Sequence, residues 1–128
     1  MRFLFNRYSS RATCLLVWRA CFWMCVVAVL VLSLMPPAPH MPSTGWDKAN
    51  HALAFAVLAW LGCSAWPGRT TRVLCGLLAF GVLIEGLQSL TPYRVAEWAD
   101  LLADVLGLAL GWGAWAVSVA ARRRVQPV

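Results

Sequence analysis

Residues 85–111 read EGLQSLTPYRVAEWADLLADVLGLALG. This stretch holds Glu85, Glu97, Asp100 and Asp104, four of the five acidic residues in the chain. The fifth, Asp47, stands in GWDKANHALAF, at the head of the preceding apolar run. Almost everything else is apolar, small or basic. A carboxylate inside an apolar helix is expensive in a bilayer, so it needs a partner, a cavity or an interface. The pattern predicts that the acids, together with a lysine, a histidine and an arginine, converge at one end of a bundle of membrane helices.

Composition sets that frame. The chain has 128 residues, room for one domain. Its hydrophobic content is 61%, its charged content 12% and its mean hydropathy +0.68. A soluble fold would have to bury nearly all-apolar helices under too little polar surface. The net charge of +6 does not point to nucleic acid. Its basic residues sit at the ends of apolar runs, as in a membrane protein, and do not line one helix face. The five cysteines, Cys14, Cys21, Cys25, Cys63 and Cys75, have neither a CxxC nor a zinc-type spacing and read as packing thiols.

Outward from the acidic stretch, the chain divides into four helices at about 14–35, 46–66, 73–90 and 99–121. Residues 1–13 and 122–128 form basic ends around a domain at 14–121. The first uninterrupted apolar run, 20–35, rises only about 24 Å. Starting its helix near Cys14, with Arg19 snorkelling, matches a hydrocarbon core of about 30 Å. No signal-peptidase-like site follows it, so it reads as an uncleaved span. Thr44-Gly-Trp-Asp47 has the form of a capping box, and Pro67-Gly68 and Pro92 end the second and third helices. Nine arginines fall on one side of such a four-span chain, in the N-terminal segment, the 69–72 turn and 122–124, leaving Lys48 and Arg94 on the other. The positive-inside rule then predicts both termini in the cytoplasm, and all five acids near the outer leaflet. The fold class expected is all-α, a four-transmembrane-helix bundle.

Spacing collects the polar residues into stripes. Asp47 and His51 are i, i+4 with Phe55 below them; Gly81, Glu85 and Gln88 form a stripe on the third helix. Glu97, Asp100, Asp104, Gly107 and Gly111 follow at steps of 3, 4, 3 and 4, one helical face. Gly107-x-x-x-Gly111 is a small-residue seam that lets another backbone approach just below the acids.

The combination D-K-x-x-H, then E-x-x-Q, then R, D and G-x-x-x-G resembles the VanZ family. The positions are Asp47, Lys48, His51, Glu85, Gln88, Arg94, Asp100, Gly107 and Gly111, spanning about 46–113. Where the family often has asparagine, four residues after the aspartate, this chain has Asp104. The resemblance implies a small multi-pass protein of a bacterial inner membrane, whose namesake is linked to resistance to the glycopeptide antibiotic teicoplanin. It brings no settled activity and no known cofactor.

Some of these residues have simpler readings. Asp47 in a first helical turn suits the helix dipole, His51 packs in many cores, and Glu97 with Trp98 suits a membrane interface. Glu85 and Asp104 lie inside apolar helices, where an unpaired charge is most costly. Three functional classes follow. One is an envelope protein, in contact with the bilayer, whose polar cleft binds a cell-wall precursor, lipid head group or glycopeptide. A second is a membrane-embedded enzyme using Asp47, His51, Glu85, Asp100 and Asp104 for a divalent metal or for acid–base work. No serine or cysteine pairs with His51 in the sequence, which argues against a covalent hydrolase. The third is a proton-coupled exporter, disfavoured because Glu85 lies nearer a helix end than the bilayer midplane.

Overall fold

A computed structural model describes residues 2–36, 47–92 and 97–125, with side chains described over 12–36, 48–92 and 97–124. These segments are all helical or turn: α1 (Arg2–Leu34), α2 (Asp47–Ala65), α3 (Thr70–Gln88) and α4 (Trp98–Val125). The Thr44 end of the capping box and Arg94 lie outside the described residues, as does the side chain of Asp47.

The helix boundaries follow local chemistry. α1 stops just before Pro36, and its helix extends back past the apolar run to Arg2. α2 stops at Ala65, where Pro67 disfavours a helical Trp66. Gly68 then takes φ +82, a left-handed geometry that glycine adopts without strain, and the chain reverses within four residues. After α3, the hydroxyl of Thr91 donates to the carbonyl of Gln88 at 2.8 Å, satisfying a helix-end acceptor, and Pro92 follows. α4 has Asp100 in its first turn and Arg122, Arg123 and Arg124 in its last, the two placements that complement a helix dipole.

α2 is the hub. It touches all three other helices, whereas α1 and α4 do not meet among the described residues. The core, built on Phe22, Phe55, Leu58, Leu77, Ile84 and Leu108, takes side chains from every helix around α2. Large apolar side chains such as Met24, Val27, Leu53, Leu83, Leu106 and Leu110 instead cover the outside. That distribution suits lipid, which does not penalise exposed leucine.

Three helices are long and apolar enough to cross a membrane: 12–34 in α1, all of α3 and 98–124 in α4. The sequence reading expected four. The helix not meeting the criterion is α2, whose first turn carries Asp47, Lys48, Asn50 and His51 and lowers its hydropathy. Its 19 residues still rise about 28 Å, and its neighbours shield most of its length. Near the far end of α2, a groove of about 340 Å³ between α1 and α3 is lined by Phe22, Trp23, Trp66, Phe80, Arg69 and Arg72. Arg19 reaches that end, its Nε donating to the Ala65 carbonyl at 3.4 Å and its guanidinium lying 5.7 Å from the Trp66 ring centre.

Candidate functional site

The antiparallel order of the helices brings the start of α2, the end of α3 and the start of α4 to one end of the bundle. Backbone proximity sets the site up. A Cβ on Gly107 would fall on the Ala52 carbonyl oxygen, and one on Gly111 on that of Ala56. α2 and α4 therefore run side by side with their backbones touching, which carries His51 up against Asp104, one turn above this seam.

At the floor, His51 Nδ1 and Asp104 Oδ1 form a hydrogen bond of 3.1 Å. His51 is 8% exposed and Asp104 fully buried. The other oxygen of Asp104 has no hydrogen-bond partner among the described residues. It lies against Gly81, where a Cβ would come within 2.6 Å of it. A glycine at 81 is thus what gives this carboxylate room against α3. One turn further along α3 is Glu85, whose Oε2 accepts from the backbone N–H of Glu97 at 3.2 Å. Its Oε1 is buried without a hydrogen-bond partner among the described residues.

At the rim, Lys48 Nζ pairs with Glu97 at 2.9 Å, both side chains about half exposed, and lies 4.0 Å from Asp100 Oδ1. Asp100 itself is buried. One donor atom from each of His51, Glu85 and Asp100 falls within 4.8 Å of the other two. A cluster of nitrogen and oxygen donors from α2, α3 and α4 thus lies under a charged rim.

The structure brings together Lys48, His51, Glu85, Asp100 and Asp104, with Gly107 and Gly111 beneath. Gln88 turns elsewhere: buried, it donates from Nε2 to the Ser33 carbonyl of α1 at 2.9 Å and pins the ends of α1 and α3 together. Asp47 begins α2 on the same side, but its side chain and Arg94 lie outside the described residues.

The sequence places Glu97 among the converging acids, with an interface marker as its simpler reading, but not among the named site residues, yet it bridges Lys48 and Glu85. Nothing in its own spacing signals that bond, which crosses two helices. Ala52 and Ala56 were also missed, although Ala52-x-x-x-Ala56 is the same small-residue signal as Gly107-x-x-x-Gly111. All five cysteines are free, Cys63 buried and Cys14 and Cys75 exposed.

The family model described as VanZ/LLP1 matches residues 4–119, nearly the whole chain. The chain belongs to the VanZ/LLP1 family. Its polar cluster and its glycine seam both fall within the matched region. No curated protein and no solved structure matches this VanZ/LLP1 chain significantly.

Proposed function

We propose that this VanZ/LLP1 protein is a four-span protein of a bacterial inner membrane, with both termini cytoplasmic. Its polar pocket, at the outer leaflet, receives the head group of a lipid-linked cell-wall precursor. The observation that carries this reading is the graded polar cluster, with His51 and Asp104 buried deepest, Glu85 and Asp100 beside them, and Lys48 and Glu97 half exposed at the rim. Such a set of acceptors suits hydroxyl- and amine-bearing head groups, while the exposed leucines and valines hold the pocket at a fixed depth in lipid. The basic asymmetry between the two ends of the helices supports the orientation.

Binding is tested with purified protein in nanodiscs, following tryptophan fluorescence as a lipid-linked precursor is added. The expected result is saturable binding that weakens at least tenfold in Asp100→Asn and in His51→Ala. A parallel arm with teicoplanin alone separates antibiotic capture from precursor binding. Equal binding by wild type and both variants would remove the pocket from the mechanism.

A second reading is a membrane-embedded enzyme acting on a lipid-linked substrate. It is favoured by the buried His51–Asp104 pair beside Glu85, since a carboxylate that orients a histidine is a common support for acid–base or metal chemistry. Hydrolysis of the same precursor, followed by product analysis, distinguishes it from binding alone.

A further inference from the structure

We infer that His51, Glu85 and Asp100 form a binding site for a divalent first-row metal ion of the zinc or manganese type. Asp104 stands behind His51 as its orienting carboxylate. The donors come from three different helices, yet their ligand-capable atoms lie within 4.8 Å of one another. Metal–ligand bonds of about 2.0–2.2 Å place the donors of a tetrahedral shell roughly 3.5 Å apart. Closing the set around an ion therefore needs side-chain movements of about 1 Å, within reach of rotamer adjustment and with no helix displaced.

The mixed donor set limits the ion. One imidazole with carboxylates suits zinc, manganese or iron, while magnesium and calcium favour all-oxygen shells. His51 has the support such a ligand requires. A carboxylate on one ring nitrogen fixes the tautomer and directs the other nitrogen at the metal. Asp104 occupies that position, on Nδ1 at 3.1 Å, so Nε2 is the ligand nitrogen.

A second observation points the same way. Asp104 is fully buried and its Oδ2 has no hydrogen-bond partner among the described residues; the buried Oε1 of Glu85 is in the same condition. Desolvated carboxylate oxygens without a hydrogen-bond donor need positive charge nearby. Lys48 is committed at the rim, 2.9 Å from Glu97 and 4.0 Å from Asp100. A dication among these donors would neutralise two carboxylates, adding to the single positive charge that Lys48 brings near Asp100.

The ion deepens the reading of this pocket as a head-group site, and its consequence for phosphate rests on that reading. An acidic pocket repels a phosphate or pyrophosphate group, whereas a pocket holding a dication attracts one. Metal binding itself is measured with no lipid-linked ligand present, so failure of the metal site and failure of head-group binding are read separately.

The experiment uses full-length protein in nanodiscs made of a neutral lipid, stripped with chelator and dialysed. It is titrated calorimetrically with Zn²⁺ and, separately, with Mn²⁺, in a background of excess Mg²⁺. The expected result is one ion per chain, with binding weakened at least a hundredfold in Glu85→Gln and Asp100→Asn. Asp104→Asn should weaken it about 10–100-fold, the usual effect of losing an outer-shell carboxylate. Arg72→Ala, at the opposite end of the bundle, should leave it within about threefold. Circular dichroism of each stripped variant confirms that the helices remain, and added Zn²⁺ should raise the melting temperature of wild type but not of Asp100→Asn. A wild type that keeps its helices but binds neither ion would overturn the site and leave protons or basic side chains as its neutraliser. Undiminished binding in both Glu85→Gln and Asp100→Asn would overturn it equally, moving the ion elsewhere.

Discussion

Adding a single methyl group at Gly107 or Gly111 should weaken the whole bundle, because the contact there is backbone on backbone. A Cβ at 107 would meet the Ala52 carbonyl oxygen, with the Ala52 carbonyl carbon and Cα both at 3.0 Å. A Cβ at 111 would meet the Ala56 carbonyl oxygen, with both Ala56 carbons at 2.8 Å. Carbon atoms pack best about 3.5–4.0 Å apart, so α2 and α4 must separate by roughly 0.5–1 Å. Neither side can yield by rotating a side chain. Overpacking of this kind costs about 1–3 kcal/mol, offset by up to about 1 kcal/mol of better helix propensity. The net expected for each substitution to alanine is a loss of about 1–2 kcal/mol, near the higher end at Gly111. At roughly 4 °C per kcal/mol, the melting temperature falls by about 4–8 °C. Internal controls are available at Gly76, Gly86 and Gly113, where a Cβ meets nothing within 4 Å. Alanine at those positions should be neutral or slightly stabilising. Thermal melts of all five variants in one detergent, read by tryptophan fluorescence, make the comparison. If Gly107→Ala and Gly111→Ala melt with the controls, the close α2–α4 contact is wrong, and so is the path that brings His51 to Asp104.

Four further outcomes are expected. A reporter active only in the periplasm, fused after Val128, should give no signal; a strong signal would reverse the orientation and move the polar pocket to the inner leaflet. Asp104→Asn should melt within about 1 kcal/mol of wild type, because an amide keeps an acceptor for His51 and removes a buried charge. Asp100→Asn should impair precursor binding more than Asp104→Asn does, and the opposite ranking in the same binding titration would mean that the acidic face of α4 is misread. Lys48→Ala should cost less than about 1 kcal/mol in a melt, since its ion pair with Glu97 is half exposed at 49% and 51%. A larger loss would show that Lys48 neutralises the buried acids directly.

The helices and their polar stripes were legible in the chain itself. Apolar runs punctuated by Pro36, Pro67-Gly68 and Pro92 set where helices end, because proline and glycine act locally, whatever surrounds them. The steps of 3 and 4 from Glu97 to Gly111 put the acids and the glycine seam on one face of α4 for the same local reason. Pairing was a different matter. Gln88 shares a helical stripe with Glu85, yet it bonds Ser33 on α1 and stays out of the pocket. Glu97 looked like an interface residue until α2 and α3 brought Lys48 and Glu85 to it. That α2 is the central helix also became visible only in the packing. Periodicity states which residues share a face, a property of one helix. Which face meets which depends on how closely two backbones can approach, and here Gly107 and Gly111 against Ala52 and Ala56 decided it.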